Sequence, residues 1–169
     1  VDPLTIEFGT ILINTSAEDS FQITNPGTAT LIGNITAPNG FTVELSRGNT
    51  SNRELPRWSG QPFIIAAGES ETFTVTFTPT EFAVYDADLI ITHNADADDI
   101  TISLTGQGGQ PELWYNENMF YTELAPGGTD EQFLTIVNNG NMDLEYALDI
   151  TDAPAWLNLE GGSYYAGSI

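Results

Sequence analysis

The chain has 169 residues, of which 24 are acidic, three are arginine and one is histidine, so its formal net charge is −21. Such a charge excludes binding to nucleic acid or acidic lipid through a basic face, because phosphates would be repelled. The absence of cysteine excludes disulfides and thiolate metal sites, and the single His93 excludes a histidine-rich metal site. No apolar run is long enough to span a bilayer, so we expect no membrane insertion.

The dominant pattern along residues 1–106 is alternation of apolar and polar residues with a period of two. In residues 72–77, for example, Phe73, Val75 and Phe77 alternate with three threonines. One buried and one wet face is typical of an antiparallel sheet, and turn signals separate the runs. Strands are predicted near residues 4–8, 11–14, 19–25, 30–37, 41–45, 62–66, 71–78, 84–93 and 99–106. The predicted fold is all-β, an immunoglobulin-like antiparallel β-sandwich.

A stretch rich in glycine, residues 106–111, marks a boundary after this sandwich. Three glycines and a proline without a large apolar side chain are typical of a linker. We therefore predict a sandwich over residues 1–107, a linker over 108–111 and a second module over 112–169.

The second module partly repeats the first. Phe120 and Phe133 are spaced like Phe8 and Phe21, and an Asn-x-Gly turn follows in both copies, at residues 25–27 and 138–140. The second copy has too few residues for a full sandwich, so it is predicted to be a partial immunoglobulin-like module. A lone half-sandwich would expose an apolar face and unpaired edges. Three alternatives are open: the module is cut off, it is completed by a partner chain, or it packs on the first domain.

The residues of the first module carry a family resemblance. Residues 6–16 with 21–27, then 65–70 with 73–79, residues 85–91 and the closing 102–108 resemble immunoglobulin-like domains of the abnormal-spindle/hydin (ASH) and bacterial choice-of-anchor D type. The second module, with Phe133, Leu144 and residues 154–157, resembles the first half of a BACON-type module. The resemblance implies a repeated, non-catalytic module of secreted or surface-anchored bacterial proteins. The chain departs from the pattern at about residues 46–61, where a polar stretch replaces a shorter connection.

Residues for catalysis are scarce. Nucleophilic catalysis needs a base held against a hydroxyl, and the only imidazole, His93, has Ser103 and several acids in the sequence but no motif that joins them. Among 24 carboxylates, a chance pair at glycosidase spacing carries no specificity. We expect no catalytic residues and no enzyme activity.

A calcium site is the more specific hypothesis. Residues 94–99 place the oxygen-bearing side chains of Asn94, Asp96, Asp98 and Asp99 in one hairpin loop, and calcium prefers six to eight oxygen ligands. The stretch lacks the glycine and distal glutamate of an EF-hand, and the alternative is a polar hairpin tip. No other cofactor is expected.

Residues 46–61 form the most distinctive stretch, because they hold all three arginines and Trp58 beside Arg57. A tryptophan stacks on sugars and arginine grips carboxylates, so Arg53, Arg57 and Trp58 are a candidate ligand site. In the alternative, Trp58 folds back on the sandwich edge. Trp156, in residues 154–157, is expected in the core of the second module.

Two functions follow as expectations. The first is a non-enzymatic spacer or interaction module of a secreted or cell-surface multidomain bacterial protein. Its partners would be other domains of the same polypeptide, surface proteins or glycans. The alternative is a carbohydrate- or ligand-binding accessory module that uses the 46–61 loop.

Overall fold

The computed structural model describes residues 1–46, 60–95, 98–116, 119–159 and 164–169, the last segment mainly by its backbone. Its contacts divide the chain into two compact units, Val1–Gly109 (unit 1) and Gln110–Ile169 (unit 2). The described residues form strands and no helix, and therefore contain no helix suited to crossing a membrane.

The described residues of unit 1 form eight strands in two sheets. The strands are β1 (Thr5–Leu12), β2 (Ala17–Thr24), β3 (Leu31–Thr36), β4 (Phe41–Leu45), β5 (Gln61–Ile65), β6 (Ser70–Phe77), β7 (Val84–His93) and β8 (Ile100–Gly109). One sheet has the order β1-β8-β7-β3-β5, and the other has the order β2-β6-β4. The all-β, immunoglobulin-like prediction is confirmed, with one difference: β1 runs parallel to β8, so the larger sheet is mixed.

The core of unit 1 is built by the inward residues of the alternating runs. Phe73, Val75 and Phe77 of β6 are fully buried, as the period-two pattern predicts. They meet inward residues of β7 and β8 from the other sheet, including Leu89 and Leu104. The aromatic rings pack in contact, with Phe21 stacked on Phe73 at a centroid distance of 5.4 Å.

The first two predicted strands, 4–8 and 11–14, are one strand. β1 is continuous from Thr5 to Leu12, and its register against β8 shifts between Glu7 and Thr10. Gly9 lies at this irregularity with a φ of 67°, in the left-handed region that favours glycine. The glycine therefore bends a strand instead of ending it.

The predicted linker begins two residues too early. Gly108 and Gly109 belong to β8, where they pair with Ile11 and Leu12 of β1. A Cβ on Gly108 would lie 2.0 Å from the carbonyl oxygen of Glu81, so glycine is required there by close approach of the backbones.

In unit 2, the part that the structure describes forms two strand pairs. β9 (Leu113–Tyr115) pairs antiparallel with β10 (Ile136–Asn138), and β11 (Glu145–Asp149) pairs antiparallel with β12 (Tyr164–Ser168). None of the unit 2 residues whose burial the structure describes is buried. The expectation that Trp156 lies in a core is wrong: its side chain is 76% exposed, because the described part of unit 2 has no second full sheet to cover it.

Candidate functional site

The arginine-bearing loop can be placed only by its ends. Arg53, Arg57 and Trp58 lie in 47–59, outside the described residues. The loop leaves β4 at Ser46, whose backbone N–H donates to the Thr72 carbonyl at 2.9 Å. It enters β5 after Gly60, where a Cβ would lie 2.4 Å from the Ile35 carbonyl oxygen. Because β4 and β5 are edge strands of the two different sheets, the loop passes from one sheet to the other.

The predicted calcium hairpin connects β7 to β8. Asn94 follows β7 directly, and its side chain bonds β3 and the residue before it: Oδ1 accepts from the Ile32 N–H at 2.9 Å, and Nδ2 donates to the Thr30 carbonyl at 3.3 Å. Asp98 and Asp99 are exposed, and Asp96 lies outside the described residues. Asn94 therefore has a structural task in securing the hairpin, which leaves Asp98 and Asp99 as the described oxygen donors of this loop.

Metal-ligand geometry is absent from the part of the chain that the structure describes, the hairpin residues Asp98 and Asp99 included. No three acidic or histidine side chains there come together in a group that could hold an ion. A site in this hairpin would therefore need ligands beyond the described side chains.

His93 and Ser103 are kept apart by the sheet register. His93 ends β7 and pairs with Gly33 of β3, whereas Ser103 of β8 lies opposite Asp88. Five positions along β7 separate Asp88 from His93, roughly 16 Å at about 3.3 Å per residue. The Ser103 hydroxyl donates instead to Asp88 Oδ1 at 3.2 Å. The geometry does not assemble a nucleophile and a base from these two side chains.

Unit 2 has an apolar groove that the sequence analysis did not predict. It has a volume of about 280 Å³ and is lined by side chains from β9, β10 and β11 and from the segment 119–135, among them Leu113, Phe120, Leu134 and Leu148. Phe133, in the same segment, is 71% exposed. The repeated Phe–Phe spacing is the sequence signal for Phe120 and Phe133, but it does not locate the groove.

The same type of asparagine turn occurs in each of the two units. The Asn25 side chain accepts from the Gly27 N–H at 3.1 Å and donates to the Ala29 carbonyl at 2.8 Å. In unit 2 the Asn138 side chain accepts from the Gly140 N–H at 3.0 Å and donates to the Met142 carbonyl at 2.6 Å. Both side chains thus bond the residues two and four positions ahead, which identifies a shared local structure behind the sequence repeat.

Comparison with known proteins identifies the fold family. The family model of HYDIN/CFA65/VesB-like immunoglobulin-like domains matches residues 1–107. The chain belongs to this family. The expected ASH-type membership is confirmed for the first module, and the matched residues coincide with all but the end of unit 1.

Solved structures resemble this HYDIN/VesB-like chain in fold. PapD-like domain 7 of human CEP192 is 13% identical with a TM-score of 0.45, over 62% of this chain and 80% of that one. SSP-19 of Caenorhabditis elegans is 13% identical with a TM-score of 0.42, over 63% and 97% of the two chains. The Vibrio cholerae VesB protease is 20% identical with a TM-score of 0.41, and this chain covers 30% of it. A comparison with curated protein sequences finds no match.

Proposed function

We propose that the chain is a non-catalytic immunoglobulin-like spacer and interaction module of a secreted or cell-surface multidomain bacterial protein. The observation that supports this most strongly is the closed apolar core of unit 1, which fills the space between its sheets with side chains such as Phe73 and Leu104. Membership of the HYDIN/CFA65/VesB-like domain family is consistent with it. The partners would be neighbouring domains of the same polypeptide, surface proteins or glycans.

The absence of enzyme activity is the part of this proposal that is simplest to test. The full chain would be assayed on chromogenic esters, glycosides and peptide amides, alongside His93→Ala. We expect no turnover above buffer in either protein. Turnover that purifies with the chain and disappears in His93→Ala would overturn the proposal.

The extracellular location requires a separate experiment. The parent protein would be detected with an antibody raised against this chain, in intact and lysed cells of the source organism. Accessible signal on intact cells or in culture medium is expected. Signal found only after lysis would contradict the location while leaving the non-catalytic role intact.

A second function, a carbohydrate-binding accessory role, depends on the 46–61 loop. It is favoured by the two strands that flank the loop, β4 and β5, which are edge strands of the two different sheets. In this proposal Trp58 stacks on a sugar ring while Arg53 and Arg57 bind acidic substituents. A glycan array that compares the chain with Trp58→Ala decides it, with Trp114→Ala as the matched control. Identical profiles for all three proteins would dispose of the idea.

Calcium is proposed as a structural ion at the β7–β8 hairpin, with Asp98 and Asp99 as ligands together with Asp96. Asn94 contributes by holding the hairpin against β3. Because the chain is strongly acidic, calcium can stabilise it in two ways: by binding at a specific site or by screening the carboxylates in general. The test must separate these two effects.

A further inference from the structure

The first and last strands of unit 1 lie side by side and run in the same direction. β1 pairs parallel with β8, and a backbone hydrogen bond closes each end of this ladder. At one end the Ser103 N–H donates to the Leu4 carbonyl at 3.0 Å. At the other end the Ile13 N–H donates to the Gly109 carbonyl at 2.9 Å. The chain therefore enters β1 at one end of the ladder and leaves β8 at the opposite end.

This parallel pairing decides how unit 1 responds to tension along the chain. Tension pulls β1 back from its first residue and pulls β8 forward from its last residue, so the two strands are forced to slide past each other. Sliding loads all the hydrogen bonds of the ladder at the same time. If the two strands were antiparallel, both load points would lie at one end of the ladder, and the bonds would break one after another.

The inward side chains of β1 oppose the same sliding movement. Ile6 is 2% exposed, and Phe8 and Ile11 pack against the core of unit 1. A slide by one residue would turn these apolar side chains to the other face of the sheet. Because that movement exposes apolar surface to water, it adds to the resistance of the hydrogen bonds.

We propose that the β1–β8 ladder is a mechanical clamp, which makes unit 1 resist tension applied between its two ends much more than tension applied across one end of the ladder. The inference deepens the proposed spacer role and rests on it, because a spacer carries tension from one neighbouring part of the polypeptide to the next. The resistance is a property of the rate of forced unfolding and not of the free energy of unfolding.

Pulling on the full chain in two directions tests the clamp. The chain has no cysteine, so a pair of introduced cysteines supplies unique attachment points for single-molecule force spectroscopy. Leu4→Cys with Gln110→Cys loads opposite ends of the ladder, and Leu4→Cys with Asp99→Cys loads one end. Leu4 and Asp99 are exposed and Gln110 is half-buried, and a chelator is present in both cases. At one loading rate, we expect the opposite-end pair to unfold at about twice the force of the same-end pair or more.

Two proline variants, each made in both cysteine pairs, assign the resistance to the ladder. Ile13→Pro removes the N–H that donates to Gly109. Ser46→Pro removes a matched strand-end bond outside the clamp, from the Ser46 N–H to the Thr72 carbonyl at 2.9 Å. Denaturant titration checks that each variant folds cooperatively.

The two prolines should differ in their effect on the unfolding force. Ile13→Pro should lower the opposite-end force by about a tenth or more, because the ladder loses one of the bonds that share the load. It should leave the same-end force unchanged, because peeling begins at Leu4 and does not load the far bond. Ser46→Pro should lower neither force, since the β4–β6 ladder is still intact when the clamp breaks.

Equal forces in the two directions, or a higher force for the same-end pair, would overturn the proposal. So would an effect of Ser46→Pro on the opposite-end force as large as that of Ile13→Pro, because the resistance would then follow the overall stability of unit 1. The turnover and cell-surface assays do not depend on these forces, so failure of the clamp is distinguishable from failure of the proposed function.

Discussion

Asn25 is a buried side chain that ties a turn to a neighbouring strand. Its amide nitrogen donates to the carbonyls of Ala29, Ile65 and Ala66, at 2.8, 3.1 and 3.1 Å. Asn25→Ala leaves these acceptors without their donor, so we expect the free energy of unfolding of unit 1 to fall by about 1–3 kcal/mol. Denaturant titration measures this change. Asn94→Ala, which removes an exposed side chain, should cost less, and equal losses would contradict the argument from burial.

Tyr85 is one of the residues whose pKa the fold alters. Its hydroxyl oxygen accepts from the backbone N–H groups of Thr80 and Glu81, at 3.1 and 3.2 Å. Hydrogen bonding, chiefly from Thr80, lowers the pKa of Tyr85 below its usual value, because donors favour the phenolate. On raising the pH, the folded chain therefore releases this proton before the unfolded chain does, and the contribution of Tyr85 to stability rises toward pH 10.

The variant Tyr85→Phe isolates this effect. It keeps the ring packed on Phe77 and Phe41 but removes the titrating group. We expect the difference in melting temperature between the native chain and Tyr85→Phe to widen between neutral pH and pH 10. Tyr115→Phe is the control, and a difference that stays constant or narrows with pH would contradict the lowered pKa.

At the scale of elements, the repeated phenylalanine spacing has opposite consequences in β2 and in residues 129–136 of unit 2. Phe21 is buried against Phe73, and Phe133 is exposed. Phe21→Ala should lower the free energy of unfolding by about 3–5 kcal/mol, as is usual for a buried phenylalanine. Phe133→Ala should change it by less than about 0.5 kcal/mol, as at an ordinary surface position. Denaturant titration compares the two variants, and a large loss for Phe133→Ala would show that its ring is packed in solution.

The strands of unit 1 could be predicted because alternation decides which face is buried. In β6, for example, successive side chains point to opposite faces, which places Phe73, Val75 and Phe77 inward and the three threonines outward. The bulge at Gly9 and the extension of β8 through Gly108 could not be predicted, since in both cases a glycine that usually ends a strand serves backbone geometry set by a distant segment. The parallel pairing of β1 with β8 likewise depends on topology, which alternation does not encode.

At the scale of the whole molecule, the candidate sites could also be predicted only in part from the sequence. The sequence could identify Asn94, Asp98 and Asp99 as oxygen donors in one hairpin, because only residue types and spacing are needed. It could not show that the Asn94 side chain is used to hold β3, because that contact joins residues 62 positions apart. The positions of Phe120 and Phe133 follow from the repeated spacing, but the groove of unit 2 depends on how β9, β10 and β11 are arranged.

Net charge and a built calcium site predict different responses of the whole chain to ions. At −21, any salt that screens the carboxylates should raise the melting temperature. A site that binds calcium adds a stabilisation of about 1.4 kcal/mol when calcium is at ten times its Kd, by mass action. Scanning calorimetry of chelated protein, with calcium or magnesium added at matched ionic strength, separates the two, and calcium should give the larger increase.

Charge-matched variants then decide whether that increase arises in the β7–β8 hairpin. Asp98→Asn combined with Asp99→Asn removes two hairpin ligands, and Asp143→Asn combined with Asp152→Asn removes the same charge from exposed positions of unit 2. The excess effect of calcium over magnesium should disappear in the first variant and persist in the second. If both variants keep it, the hairpin is not the site, and if magnesium matches calcium in the native chain, the carboxylates act only as a screened surface charge.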